Sequence, residues 1–218
     1  KNIIVSGKDG KGRLLMGELM AKAGTDFVPA ETTCDDFCFW LYSSGSTGTP
    51  KGTVHLHSHL IQTAELYGVG VLGIRESDLV FSAAKLFFAY GLGNGLTFPL
   101  AVGATAVLMG ERPTPQAVFQ RLRSHNPTIF YGVPTLYAAL LASPEMPKRG
   151  ELSRLRVCTS AGEALPADIG KRWTEALGVE ILDGIGSTEM LHIFLSNRAG
   201  EVRYGTTGKA VPGYEVRL

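Results

Sequence analysis

Apolar positions in this chain come in short blocks, and the blocks alternate with stretches of helical period. "NIIV" (Asn2 to Val5) reads as a strand, and roughly Gly12 to Gly24 as a helix. Phe37 to Tyr42 is a strongly apolar strand, and His59 to Leu72 carries apolar residues at helical spacing. Strands follow at Asp78 to Ala84 and Gly103 to Met109. Pro115 opens a helix that ends near Asn126 and Pro127, "TIFYG" is the next strand, and Pro134 opens the next helix. Leu155 to Leu165 is a strand running into a small-residue turn, Pro166 starts a helix through Leu177, and Val179 to Met190 repeats the strand-then-turn pattern. Short apolar strands alternating with helices predict an α/β fold, a parallel sheet covered by helices. The tail from residue 196 departs from this rhythm. Its Val, Tyr and Arg runs, separated by Gly and Pro, predict antiparallel strands at the start of a β-rich subdomain, with residues 1–195 as the central α/β part. The chain starts and stops in mid-strand, so it reads as an excerpt of a longer protein.

In a parallel sheet, ligands bind beyond the carboxyl ends of the strands. Three polar, glycine-bearing turns fall there: "SSGSTGTPKG", "TSAGEAL" and "DGIGSTEM". The first combines uncovered backbone N–H groups, hydroxyls and one lysine, which suits an anion such as polyphosphate. It is not a Walker A loop, because Pro50 stands where Gly is needed and Gly52 where Ser or Thr is needed. A Gly/Ser-rich linker is the alternative reading, against which the preceding apolar strand and Pro50 argue.

Composition narrows the class. The 21 basic and 20 acidic residues give a net charge of +1 with no charge block, so neither nucleic acid nor a membrane surface is implied as a partner. Hydrophobic content of 44% with 27 glycines fits a folded α/β protein. Cys34, Cys38 and Cys158 have no metal or disulfide spacing, which points to a reducing cytoplasm. His55, His57 and His59 alternate; on a strand they would share one face, with solvent-facing or capping roles expected rather than a metal site.

"YSSGSTGTPKG", "SAGEAL" and "GIGSTE", in this order, resemble the adenylate-forming superfamily of acyl-CoA synthetases, luciferases and peptide-synthetase adenylation domains. "AAKLFFAYGLGNGLTFPL" and "GTTGKAVPGYEVRL" are similar more narrowly to benzoate-CoA ligases and their aryl-CoA ligase neighbours. The resemblance implies an aromatic carboxylate, ATP with Mg²⁺, and CoA as reactants, joined through an acyl-adenylate. It is also compatible with a homodimer of the full-length protein.

It further implies roles for residues. Ser43, Ser44, Gly45, Ser46, Thr47, Gly48, Thr49 and Lys51 would hold the β- and γ-phosphates. Thr188 would bond the α-phosphate and Glu189 would hold Mg²⁺. Gly162, Glu163 and Ala164 would line the adenine slot, with Asp183 accepting from the adenine amine and Gly184 beside it. Ile185 stands where many members have an aromatic residue. Phe88, Ala89, Tyr90 and Gly91 would form the acyl pocket, with Ile185 and His192 on the opposing wall. The family's ribose Asp and C-terminal catalytic Lys would lie past Leu218, so the fragment alone is expected to be inactive.

Overall fold

The computed structural model describes residues 2–7, 9–43 and 48–217. The chain forms two compact units, residues 1–33 and 34–218. In the first, β1 (Ile4–Val5) and β2 (Leu14–Leu15) pair in parallel and lead into α1 (Met16–Lys22). The helix starts later than its sequence suggests, because residues 11–15 form a turn and a strand.

The second unit begins with an antiparallel hairpin of β3 (Phe37–Ser43) and β4 (Lys51–Leu56). Ser43 stands opposite Lys51, so the glycine-rich segment is the connection of a hairpin, where the sequence suggested a turn at the end of a sheet strand. Strand β4 stops at Leu56 and His57 opens α2 (His57–Thr63), which runs on into a π-helical turn, Ala64–Val69. The three histidines therefore do not share a strand face. His55, expected at solvent, is fully buried.

The remaining elements build one seven-stranded sheet. In chain order they are β5 (Leu79–Ser82), α3 (Ala89–Leu92), a π-helical turn (Gly93–Thr97), α4 (Phe98–Val102), β6 (Thr105–Val107) and α5 (Pro115–His125). Then come β7 (Ile129–Gly132), α6 (Pro134–Leu141), β8 (Val157–Ser160), α7 (Ala167–Leu177), β9 (Ile181–Gly186), β10 (Ile193–Ser196) and β11 (Lys209–Ala210). The spatial order is β11-β10-β9-β8-β7-β5-β6. Strands β6, β5, β7, β8 and β9 are parallel, whereas β10 and β11 add an antiparallel edge. The tail thus contributes one short antiparallel strand to this sheet. The helical stretch from Ala89 to Val102 and strand β10 have no counterpart in the pattern-based reading.

Both faces of the sheet are covered, which explains why its strands are continuously apolar. Phe81, Phe130, Cys158 and Ile181 point to one face and pack against Phe119, Leu122, Tyr137, Leu140 and Trp173 of α5, α6 and α7. Val80, Ile129, Tyr131, Val157 and Leu182 point to the other and pack against Tyr67, Ile74 and Phe98. Helix α5 follows the expected start signals: the Thr114 hydroxyl accepts from the Ala117 N–H at 3.3 Å, Pro115 is the first helical residue, and Asn126 caps the end with φ of 45°.

At the amino edge of the sheet, Arg156 ties β8 to the turn before β5. It donates to Asp78 Oδ1 at 3.2 Å and Oδ2 at 2.7 Å, and to the carbonyls of Leu72 (3.1 Å) and Gly73 (2.9 Å). The Asp78 side chain is 1% exposed. Burial alone would raise its pKa, but hydrogen bonds from Arg156 and the Arg75 N–H hold it below the ordinary value of 3.8. Arg156→Ala would leave that carboxylate buried without its cation, at a cost of about 3 kcal/mol. The folded pKa is depressed, so the stabilisation is complete above pH 3.8 and is lost as pH falls through the folded value. Urea denaturation should show the full gap between Arg156→Ala and the parent at pH 7 and a narrowed gap below pH 3.8.

Candidate active site

A cleft of about 210 Å³ opens where β8 and β9 end. Its wall on one side is Phe88, Ala89 and Tyr90, and on the other Ala161, Gly162, Gly186, Ser187, Thr188, His192 and Ile193. A second lobe shares Phe88, Tyr90, Ala161 and Gly162 and adds Ala84, Val133 and Glu163. Binding sites for drug-sized ligands occupy roughly 300–1,000 Å³. The first lobe alone is therefore matched to something small.

Tyr90 is locked from behind. Its hydroxyl donates to the Gly132 carbonyl at 3.1 Å and meets Thr159 Oγ1 at 2.6 Å. Burial raises its pKa well above 10, so the ring enters the cleft wall as a neutral surface. His192 is buried among Tyr67, Tyr90 and Phe98, with ring centroids 5.1, 5.6 and 4.5 Å away. Burial lowers its pKa to about 3 and keeps the imidazole neutral, while Nε2 lies 3.1 Å from Asn94 Oδ1. Its Nδ1 has no hydrogen-bond partner among the described residues.

Gly162 carries φ of 95°, a conformation that side-chain-bearing residues rarely adopt, and it turns the chain from β8 into the exposed stretch Glu163–Ala164. Asp183 lies buried beneath that stretch, and its Oδ2 accepts from the Leu165 N–H at 3.4 Å. Burial raises its pKa from 3.8 to about 6, against the opposing hydrogen bond from the Leu165 backbone. Thr188 borders the cleft, and the neighbouring Glu189 is exposed.

Residues 3–218 match the family described as AMP-binding enzyme. The chain belongs to that family. It is 70% identical over all 218 residues to a benzoate–CoA ligase of Thauera aromatica, spanning 41% of that protein. Its fold matches a benzoate CoA ligase from Burkholderia xenovorans LB400 with a TM-score of 0.91 at 63% identity, covering 98% of this chain and 42% of that one. An anthranilate CoA ligase in complex with anthranoyl-AMP also matches with a TM-score of 0.91, at 45% identity, covering 99% of this chain and 41% of that one. The chain therefore spans about 40% of the length of the curated relatives it matches.

Within this AMP-binding chain, the sequence-derived residues do not all come together. Phe88, Ala89, Tyr90, Gly162, Thr188 and His192 meet in one cleft, and Glu163 borders its second lobe. Gly48, Thr49 and Lys51 are exposed on the hairpin, whereas Ser44, Gly45, Ser46 and Thr47 lie outside the described residues. Gly91 and Gly184 face protein rather than cleft. A Cβ at Gly91 would collide with the Lys85 carbonyl, and one at Gly184 would come within 2.8 Å of both Ile193 and the Leu195 carbonyl. Ile185 is 44% exposed and is not part of the cleft wall. Sequence reasoning gave no role to Ala161, Gly186 and Ser187, although they lie within the quoted motifs SAGEAL and GIGSTE, nor to Ile193, which carries no distinctive signal; a Cβ at Gly186 would meet the His192 carbonyl at 2.6 Å.

The raised pKa of Asp183 has a measurable consequence. The fold favours the protonated acid, so its contribution to stability is complete below 3.8 and drains away as pH rises through about 6. Asp183→Asn removes the ionisation. Without nucleotide, the variant should be more stable than the parent by on the order of 2–3 kcal/mol at pH 8 and nearly equal to it at pH 3.5. Urea denaturation at the two pH values checks this; an equal difference at both would mean that Asp183 titrates normally.

Proposed function

We propose that this chain is the AMP-binding core of an ATP-dependent aryl-CoA ligase that activates benzoate or a close analogue. The observation that carries the reading is the cleft: a small lobe walled by Phe88, Ala89, Tyr90 and a neutral His192, with Thr188 at its mouth. An aromatic ring fits such a slot, and its carboxylate would face Thr188. The likeness to proteins named benzoate–CoA ligase supports the same choice of acid.

The residues divide the work of two half-reactions. In the first, a carboxylate oxygen bonds to the α-phosphorus of ATP as the bond to pyrophosphate breaks, giving acyl-adenylate. Thr188 would donate to the α-phosphate, and Lys51 with the hydroxyls of its loop would hold the departing phosphates, where negative charge accumulates. Gly162, Glu163 and Ala164 would receive the adenine against exposed backbone, with Asp183 beneath them. In the second, the CoA thiol displaces AMP from the acyl carbon.

Glu189 would hold a magnesium ion. It is an exposed oxygen donor beside Thr188, and no cluster of three His, Cys, Asp or Glu gathers among the described residues. That sparse donor set fits magnesium, which one or two carboxylates hold together with substrate phosphates and water. When bound, the ion would neutralise phosphate charge. We place the reaction in the cytoplasm, and no helix among the described residues is long and apolar enough to cross a membrane.

Pyrophosphate release by the full-length protein across a panel of carboxylic acids tests the substrate class. Benzoate, fluorobenzoates and furoate should lead acetate and long-chain acids; a preference for long chains would sink the pocket assignment. Release of pyrophosphate without any benzoyl-CoA would instead indicate an adenylation domain that loads a carrier protein. Lys51→Ala should slow the adenylation half-reaction by the equivalent of about 1.5–3 kcal/mol, the worth of a hydrogen bond to a charged group. It should largely spare thioester formation from pre-made benzoyl-adenylate, where no pyrophosphate is present. Equal losses in both steps would remove Lys51 from the phosphate site.

A further inference from the structure

Two histidines that the proposed reaction does not use stand directly behind its phosphate site. His55, on β4, is 0% exposed, and its Nε2 lies 2.9 Å from the Thr188 carbonyl oxygen, 133 residues away in sequence. A carbonyl can only accept, so the ring proton is on Nε2. Burial lowers the His55 pKa, against the pull of the Thr188 carbonyl, which favours the neutral ring. The Nδ1 of His59 stands 3.2 Å from the Nδ1 of His55. The same His59 nitrogen accepts from the Leu56 N–H at 3.3 Å, which caps the start of α2. Phe39 flanks the His55 ring at 5.2 Å, tilted by 33°. The imidazole is thus held by its bond to the Thr188 carbonyl, with His59 close to its other nitrogen and a ring at its side.

The far end of this contact is a turn. The same Thr188 carbonyl accepts from the Leu191 N–H at 3.2 Å, and Leu191 has φ of 63°. That carbonyl therefore both closes the turn and anchors it to β4. Lys51 begins the same strand, four residues before His55, or roughly 13 Å along it at 3.3 Å per residue.

We propose that His55 is a positioning residue of the nucleotide site, which holds the Thr188–Glu189 turn in register with the strand that carries Lys51. The inference rests on the reading of Thr188 and Lys51 as phosphate-binding residues. Acting through the turn, His55 would set where the Thr188 hydroxyl meets the α-phosphate.

The test compares two variants of the full-length protein. His55→Phe keeps a ring and loses the donor; His55→Gln loses the ring and keeps an N–H near the position of Nε2–H. A positioning role predicts that kcat/KM for ATP falls about tenfold or more in His55→Phe and recovers most of the way in His55→Gln. A packing role predicts the reverse order, with Gln the worse of the two. His55→Leu serves the comparison where the phenylalanine variant does not accumulate. AMP affinity by calorimetry should follow the same order. In a Thr188→Ala background the effect of His55→Phe should shrink, since neighbours acting through one element are not additive. Fully additive losses, or equal losses in Phe and Gln, overturn the proposal. A Thr188→Ala defect alongside a His55→Phe variant with parental kinetics overturns this inference alone. Thr188→Ala with unaltered ATP kinetics overturns the phosphate reading and this inference with it.

Discussion

A sheet buried on both faces can expose its backbone and polar side chains only at the ends of its strands, and in this chain that constraint governs everything else. Five parallel strands are sealed between two apolar layers, so each polar group that is to meet a ligand must leave through a strand-end turn. Because the strands are parallel, these turns emerge together along one edge. Gly162 and Thr188, separated by a helix and a strand in sequence, come to border one cleft for this reason. The antiparallel pair β10 and β11 adds to the sheet without adding to that edge in the same way, and brings His192 and Ile193 back onto the cleft wall from the opposite direction.

The two edges of the sheet are built differently. The amino edge is fastened by the four-way donation of Arg156, which binds a carboxylate and two carbonyls at once. The carboxyl edge combines the aromatic walls of Phe88, Tyr90 and His192 with turns of glycine, alanine and hydroxyl residues, whose small side chains leave backbone accessible. One edge is fastened by hydrogen bonding, and the other holds the cleft between turns that expose backbone.

How much of this could be read beforehand depended on what a glycine or histidine was facing. The strands Ile129–Gly132 and Val157–Ser160 were legible because double burial writes itself as an unbroken apolar run. The helical stretch after Phe88 was not, because "GLGNG" has the composition of a loop. Gly91 and Gly93 are there because the Lys85 backbone and the His192 ring approach them, a tertiary cause with no local trace. Likewise, alternation of His55, His57 and His59 suggested a strand face, but the strand ends between the first two. The cleft-lining aromatic residues were found through motif resemblance. Periodicity alone could not distinguish a glycine that lines the cleft, such as Gly162, from one that faces a neighbouring strand, such as Gly184.

The two crowded glycines of the stretch after Phe88 differ in what surrounds them. At Gly91 the obstacle is main chain, the carbonyl of Lys85, which no mutation elsewhere can shorten. At Gly93 it is a side chain, the imidazole of His192, with the ring of Phe98 behind it. The first position is closed to evolutionary change as long as the backbone keeps its path. The second is conditionally open: a smaller residue at 192 would make room for a larger one at 93. Positions 93 and 192 should therefore drift as a pair among relatives, one growing as the other shrinks, whereas position 91 stays fixed and gives that exchange a constant frame.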